Sequence, residues 1–388
     1  MRICLVGLDF PPFRSSGLTV YVENVARQLA RRGHEVTVLA AQRWRSPRDD
    51  LASVPGSVHV VRVPIGKADW IGLGWQAARY LRANRSEFDV VHFADVHFAY
   101  AFRGGYVASA WQSFRQRLCS DHGHPYHSSG RNYLFRLSYY SVARWLMEQP
   151  SVRRAAHVVT PSRATLTEFV QHYGLDMART TLIYPGLDLE SFRRLPPRAE
   201  ARQRLGLPDD APVVLYVGFS TPRKGVEYLA QAMVSLPSKT CLVMVGRWEE
   251  GYQARFLAAL GAARPRTRLL GYVPDAELQL CYAAADALVL PSLLEGLGIP
   301  PIEAMAAGLP VVVTAGGAAE EVVGEAGLTV PPCDSLALGA ALGRVLSDSD
   351  LRVQLGEIGR KRAFSLFDPE QATSKLESVY HAAQGAKP

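Results

Sequence analysis

The chain has 388 residues, of which 48% are hydrophobic and 20% are charged. A chain of this length is too long to fold around one ordinary hydrophobic core, and its composition excludes a disordered chain. Two domains of similar size are therefore expected. The formal net charge of +7 comes mostly from scattered arginines, which argues against a nucleic-acid groove and favours an anionic ligand or a membrane surface.

The first half of the chain alternates short β-branched runs with helical patterns. Because this alternation is typical of a parallel sheet covered on both faces, we predict a doubly wound domain. Its predicted strands are 3–7, 35–40, 58–63, 89–93 and 157–160, with helices at 20–32 and 163–173. The stretch 101–149 is rich in Tyr, Trp, Arg and His, and 121–127 is predicted to be a polar loop at a ligand cleft.

The second half repeats the pattern after a proline-rich segment, 195–210, which is the best candidate for a linker. Strands are predicted at 213–217, 241–245, 267–270, 287–290 and 310–313. We therefore expect an α/β fold of two facing Rossmann-like domains with parallel sheets. The carboxyl ends of both sheets would border a shared cleft, where open α/β sheets bind ligands.

Cysteine spacing and hydropathy indicate the compartment. The five cysteines lie far apart and form no CxxC pair, which predicts a reduced protein without a structural metal. The chain begins with strand-like residues rather than a charged leader, and no stretch approaches the roughly 18 apolar residues of a membrane span. We expect a cytoplasmic protein whose only membrane contact would be peripheral, at the inner face.

The strongest local motif lies at 291–308, where a strand ends, a glycine loop turns and prolines open a helix. The amides at such a helix start favour an anion such as a diphosphate. Glu295 lies in the loop and Glu303 in the helix, so one carboxylate can contact a sugar and the other a ribose. In an ordinary loop these residues would be a cap and a solvated position; the glycines and prolines favour the ligand-binding interpretation.

A second motif follows the first strand of the second half, at 216–225. It contains Arg223 and Lys224, which together can hold a diphosphate and stabilise it as it leaves. A basic pair in a loop is more often a solvated turn. Its place at a carboxyl strand end favours a phosphate site.

These motifs make the chain similar to glycosyltransferase family 4, the retaining enzymes with a GT-B fold, over nearly its whole length. The most specific mark is Glu295, seven residues, then Glu303. Further matches are Val217 and Gly218 with Lys224 and Gly225, the segment 269–275 before a helix ending at 285–286, and 314–317 leading to 321–323.

The resemblance implies site residues, with two departures from the family pattern. Gly17 keeps the close backbone approach of a Gly-Gly loop, whereas Ser16 departs from it. Phe219 stands where the family often has arginine, so the phosphate role passes to Arg223 and Lys224. The implied catalytic residues are Glu295, His122, Arg223 and Lys224, with His124 as second choice for the histidine. The implied donor-binding residues are Gly17, Gly218, Arg223, Lys224, Val273, Glu295, Gly296, Leu297, Gly298, Ile299 and Glu303.

The resemblance also implies a domain assignment and a reaction. Residues 1–195, with a last helix from about 367 to 388, would form the acceptor-side domain, and 196–366 would bind the nucleotide sugar. The reaction would move a sugar, with retention, from a UDP- or GDP-type donor to a glycolipid, polysaccharide or natural product. Neither a metal ion nor a cofactor is expected, since no Asp-x-Asp motif is present and cationic side chains can stabilise the leaving group.

Other classes of protein share parts of this pattern. A nucleotide-sugar epimerase or an inverting transferase would also use two Rossmann-like domains, but the glutamate pair and the Arg-Lys loop argue against both. A pyridine-nucleotide oxidoreductase should carry GxGxxG after its first strand, and Gly7 and Gly17 do not have that spacing. A non-catalytic subunit that binds a nucleotide sugar is made less plausible by the intact charged residues.

Overall fold

The computed structural model describes residues 1–11, 17–42, 58–65, 69–118 and 130–385. The described residues form two compact units. Those within Met1–Leu118, Leu134–Asp188 and Phe367–Pro388 belong to the first unit, and those within Leu189–Leu366 belong to the second. In this part of the chain, no helix has both the length and the apolar character that crossing a bilayer would require.

The first unit is built on a parallel sheet that has seven strands within the described residues, in the order β3-β2-β1-β4-β5-β6-β7. The order reverses at β1, as in a doubly wound fold. The strands are β1 (Arg2–Gly7), β2 (Glu35–Gln42), β3 (Val58–Pro64), β4 (Val90–Phe93), β5 (Val107–Ser109), β6 (His157–Thr160) and β7 (Thr180–Leu182). Strands β1, β2 and β4 are almost wholly buried, because helices cover both faces of the sheet.

Helices connect these strands. They are α1 (Gly17–Arg31), α2 (Asp69–Ala83), α3 (Phe114–Leu118), α4 (Gly130–Ala143), α5 (Gln149–Arg154) and α6 (Arg163–Tyr173). Ser162 caps α6 by accepting a hydrogen bond from the Thr165 amide, and Gly174 ends it in the left-handed conformation. The described part of the stretch 101–149 contains β5, α3 and α4, and the polar loop predicted at 121–127 lies outside the described residues.

The second unit is a parallel sheet that, counted over the described residues, has six strands in the order β10-β9-β8-β11-β12-β13. The strands are β8 (Val213–Val217), β9 (Cys241–Val245), β10 (Thr267–Gly271), β11 (Ala287–Leu290), β12 (Val311–Thr314) and β13 (Gly327–Val330). The five predicted strands are present, and β13 is an addition at the sheet edge. The carboxyl ends of β8 and β11, which are neighbours, carry the two charged motifs.

The helices of the second unit are α7 (Arg198–Leu205), α8 (Val226–Ser235), α9 (Tyr252–Ala259), α10 (Asp275–Ala284), α11 (Ile299–Ala307), α12 (Ala319–Val323), α13 (Ser335–Ser347) and α14 (Ser349–Leu366). Helix α7 lies inside the predicted linker, 195–210. It is anchored by Arg202, which is buried and contacts the Asp286 carboxylate at 2.8 Å. Asp286 also accepts a hydrogen bond from the Val213 amide at 2.7 Å, so this segment is part of the second core.

The last helix, α15 (Pro369–Gly385), returns to the first unit. Tyr380 is buried, and its hydroxyl lies 2.7 Å from Nδ1 of His92 on β4. At the surface, Arg32 contacts Glu370 at 2.7 Å and Glu377 at 2.6 Å. Helix α15 therefore covers the first sheet although the second unit precedes it in the chain.

Candidate active site

The loop that follows β11 carries Glu295 and is held by backbone contacts with the loop that follows β12. The Glu295 amide donates to the Gly316 carbonyl at 2.9 Å, and the Glu295 carbonyl accepts from the Ala318 amide at 2.9 Å. Gly317 has φ +76°, and a Cβ there would lie 2.2 Å from the Glu295 carbonyl oxygen. Only glycine permits this close approach, which fixes the position of the Glu295 backbone.

The loop that follows β8 carries Arg223 and Lys224 in a short 3₁₀ turn and lies directly against the Glu295 loop. The Leu293 amide donates to the Arg223 carbonyl at 2.8 Å. Gly225 has φ +62°, and a Cβ there would lie 2.0 Å from the Pro291 carbonyl oxygen. The two strand-end loops are thus joined through their main chains.

This arrangement brings together three charged side chains that the sequence places about seventy residues apart in two motifs. Lys224 Nζ donates to both carboxylate oxygens of Glu295, at 2.9 and 2.5 Å. Arg223 Nη1 donates to the Leu294 carbonyl at 2.7 Å and lies 3.9 Å from the Glu295 carboxylate. The side chains of Lys224 and Glu295 are only 14% and 9% exposed, so the pair is largely shielded from water.

Burial and neighbouring charges act in opposite directions on the pKa values of this pair. Burial raises the pKa of Glu295, but the charges of Lys224 and Arg223 lower it by more than burial raises it. The net pKa therefore lies below its ordinary value of 4.5. Glu295 is therefore ionised at neutral pH. Burial lowers the pKa of Lys224, as does Arg223, and Glu295 only partly restores it.

Helix α11 begins directly after this loop. Gly298 precedes it with φ +88°, and no side chain caps the helix. Since Pro300 and Pro301 have no N–H, the amides that an anion could use are those of Gly298 and Ile299. The helix start thus offers fewer donors than an ordinary one.

Glu303 lies in α11 and has a partner that the sequence did not indicate. The Tyr282 hydroxyl donates to Glu303 Oε2 at 2.6 Å. Burial, and then the charge of Glu303, raise the pKa of Tyr282 well above 10, so the phenol remains a donor at neutral pH. Tyr282 lies on α10 and fixes the carboxylate of the half-buried Glu303.

Two comparisons by sequence identify the family. A model described as "Glycosyltransferase Family 4" matches residues 15–191, and one described as "Glycosyl transferases group 1" matches residues 197–362. The chain belongs to glycosyltransferase family 4. The predictions that it is an enzyme of glycosyl transfer, EC 2.4, and that it resembles this family are confirmed.

Relatives and solved structures agree with this family. A D-inositol 3-phosphate glycosyltransferase of Xylanimonas cellulosilytica is 32% identical, over 96% of this chain and 93% of its own. Sucrose-phosphate synthase from Thermosynechococcus elongatus has a TM-score of 0.79 at 24% identity and 98% coverage of both chains. HepE of Anabaena, in complex with UDP-glucose, has a TM-score of 0.72 at 19% identity, covering 98% of this chain and 100% of its own. These likenesses confirm the predicted GT-B fold with two Rossmann-like units.

The other residues that the family resemblance implied are distributed over both units. Gly218 directly follows β8 and Val273 follows β10, so both lie at the carboxyl ends of the strands, as Arg223 and Glu295 do. Gly296, Leu297, Gly298 and Ile299 continue the Glu295 loop into α11. Gly17 begins α1 in the first unit. His122, His124 and Ser16 lie outside the described residues.

The sequence reasoning also missed a buried charged network in the first unit. Nδ1 of His97 lies 2.5 Å from an Asp95 carboxylate oxygen, and Nε2 lies 2.8 Å from Glu148 Oε1. Burial lowers the pKa of His97, but the two carboxylates raise it more, to about 9. Asp95 and His97 follow the end of β4, and this position was the available signal. Within the described residues, no group of three or more acidic, histidine or cysteine side chains is arranged to hold a metal.

Proposed function

We propose that this family 4 enzyme transfers a sugar, with retention at the anomeric carbon, from a UDP- or GDP-type nucleotide sugar to a hydroxyl of an acceptor, without a metal ion. The observation that carries the proposal is the buried cluster of Lys224, Arg223 and Glu295 at the ends of β8 and β11. The acceptor would be a glycolipid, a polysaccharide or a natural product, bound mainly by the first unit, 1–195 with the last helix.

The charges of the cluster suit a diphosphate leaving group. Two cations and one carboxylate leave one net positive charge in a site of low exposure, where electrostatic attraction is stronger than in water. Arg223 and Lys224 would hold the diphosphate and stabilise the charge that develops as the sugar departs. The amides of Gly298 and Ile299 would add donors at the positive end of α11.

The two glutamates support different contacts with the donor. Glu295, held beside the cations, would contact hydroxyls of the sugar that moves. Glu303, positioned by Tyr282, would accept from the ribose hydroxyls, since carboxylates accept only. Gly218, Val273 and residues 296–299 would complete the donor site, and Gly17 and His122 are proposed to take part because the family resemblance implies them. The UDP-glucose complex of HepE supports a nucleotide-sugar donor through the shared fold.

The experiment that tests this proposal is a donor and acceptor panel. UDP-glucose, UDP-N-acetylglucosamine and GDP-mannose are each incubated with candidate acceptors, including D-inositol 3-phosphate, which occurs in the name of a relative. We expect release of nucleoside diphosphate and a glycosylated product whose anomeric configuration, measured by NMR, equals that of the donor. EDTA should leave the rate unchanged, and Lys224→Met should abolish turnover.

Other outcomes would identify a different function. An epimerase would convert one nucleotide sugar into another without releasing nucleoside diphosphate. A non-catalytic subunit would bind the donor in calorimetry and turn over none of it. Inversion of the anomeric centre, or loss of activity with EDTA that magnesium or manganese restores, would contradict the retaining, metal-independent mechanism.

A further inference from the structure

Three large hydrophobic side chains of the first unit are exposed close together in the chain. Val142, Trp145 and Leu146 are 56%, 61% and 70% exposed. They lie at the end of α4 and in the π-helical turn Arg144–Glu148 that follows it. Single exposed hydrophobics are ordinary on protein surfaces, whereas a cluster of them points to a binding surface. We call Val142, Trp145 and Leu146 the Trp145 face.

The π-helical turn explains why these side chains point outward. Glu148 is fully buried, where it lies beside His97 and accepts from the Phe114 amide at 3.0 and 3.1 Å. In a regular α-helix, residues three positions apart share a face, so Trp145 would also turn inward. The wider π turn lets the Glu148 side chain point inward while the Trp145 side chain points outward. The buried His97–Glu148 contact therefore holds Trp145 toward solvent.

A basic groove adjoins this face. Arg103, Arg153 and Arg154 line it together with Trp145, Gln149 and Pro150, and none of these lining residues is acidic. Arg154 is held in place by the Tyr100 and Pro150 carbonyls, at 2.9 and 3.0 Å. Arg103 and Arg153 are exposed, and neither has an ion-pair partner among the residues that the structure describes. Their charge is therefore available to an external anion.

We propose that the Trp145 face and this groove together dock the enzyme on a bilayer that contains anionic lipids. Trp and Leu favour the boundary between headgroups and acyl chains, and arginines pair with lipid phosphates in forked geometry. A soluble anion would account for the arginines but not for the exposed Trp145 and Leu146 beside them. The inference is independent of the proposed reaction, because docking needs neither donor nor acceptor.

Flotation of the full chain with vesicles tests this surface. Vesicles of phosphatidylcholine alone are compared with vesicles that also contain roughly 30 mol% phosphatidylglycerol, which makes their surface anionic. We expect binding to the anionic vesicles, weakened as salt rises. The double substitution Arg103→Ala with Arg153→Ala should reduce the affinity for anionic vesicles about thirtyfold, because each arginine near the membrane surface increases the affinity about fivefold. Trp145→Ala with Leu146→Ser should reduce it about tenfold.

Matched controls on the second unit separate this surface from general charge and hydrophobicity. Leu336 is 80% exposed and Arg204 is 58% exposed, so Leu336→Ser and Arg204→Ala remove comparable groups and should leave vesicle binding unchanged. Circular dichroism and release of nucleoside diphosphate check that every variant is folded.

Several results would overturn the proposal. These are equal binding to neutral and anionic vesicles, no binding at low salt, or unchanged binding of the Arg103 and Arg153 double variant. Binding of inorganic phosphate in calorimetry that needs these arginines, without vesicle binding, would assign the groove to a soluble anion. Binding of an RNA duplex with the same dependence, and no vesicle binding, would assign it to nucleic acid.

Discussion

Replacing Glu303 by glutamine should weaken the binding of the nucleotide part of the donor. The substitution keeps the size of the side chain but removes the charge that would strengthen its hydrogen bonds to the ribose. Such charge-assisted bonds contribute about 1.5–3 kcal/mol. We therefore expect the affinity for free nucleoside diphosphate to fall about ten- to 150-fold.

The contact between Tyr282 and Glu303 supplies a graded control. Tyr282→Phe removes the hydroxyl that donates to Glu303 Oε2 at 2.6 Å, while the Glu303 carboxylate remains. This bond only positions the carboxylate and does not itself contact the nucleotide, so Tyr282→Phe should cost about 0.5–1.5 kcal/mol of nucleotide binding, which reduces the affinity about two- to tenfold. Its effect should therefore be smaller than that of Glu303→Gln.

Glu295→Gln should behave differently, because Glu295 would contact the transferred sugar, which free nucleoside diphosphate lacks. Removing this carboxylate leaves Lys224 and Arg223 without a negative neighbour, so free nucleotide should bind with unchanged or higher affinity. Turnover should fall if the contact with the sugar strengthens in the transition state.

Titration calorimetry with nucleoside diphosphate, beside steady-state kinetics, measures both effects on the three variants. The division of roles is wrong if Glu295→Gln loses as much nucleotide affinity as Glu303→Gln. It is also wrong if Glu303→Gln changes kcat alone.

Two further predictions concern stability. Gly225→Ala should lower the free energy of unfolding, measured in urea, by more than about 2 kcal/mol, because Gly225 has a left-handed φ and an added Cβ would overlap the backbone. Gly251 has φ +76° but open space around it, so Gly251→Ala should cost only about 1 kcal/mol. Equal losses for the two variants would contradict this reasoning. Because the pKa of His97 is raised from 6.5 to about 9, its contribution is fully present below pH 6.5 and is lost as the pH rises through 9. The free energy of unfolding should fall by up to roughly 3 kcal/mol over this range, and His97→Gln should remove that slope; a variant with the wild-type slope would refute it.

The sequence predicted the strands with continuous apolar runs well and the strands of mixed composition poorly. Strands β8, β9 and β11 are continuous apolar runs, which is the pattern of a parallel sheet covered on both faces. Strand β5 has three residues and includes Ser109, whose hydroxyl lies 2.9 Å from Nε2 of buried His92. Strand β13 begins with a glycine. Neither segment has the continuous apolar pattern from which a buried strand is predicted.

The candidate site was predictable to the extent that it follows from strand ends. Arg223, Lys224 and Glu295 follow neighbouring parallel strands, so their proximity follows from topology. The direct contact between Lys224 and Glu295 required the main-chain bond between the two loops, which no local pattern indicates. Tyr282 carries no local signal either, since its role depends on how α10 lies beside α11.

The geometry of the Lys224–Glu295 pair also bears on how tightly the proposed site would hold its product. An ammonium group has three donors, and the two oxygens of Glu295 accept from Lys224 at 2.5 and 2.9 Å. A phosphate oxygen could therefore contact Lys224 while the ion pair persists, and neither buried charge would lose its partner. Because Glu295 offsets part of the positive charge, the diphosphate would be bound less tightly than by two unpaired cations. Attraction that acted equally on the bound donor and the transition state would not raise kcat, and stronger retention of the product would slow its release. Glu295 would thus serve turnover in two ways, by contacting the group that moves and by limiting the affinity for the group that must leave.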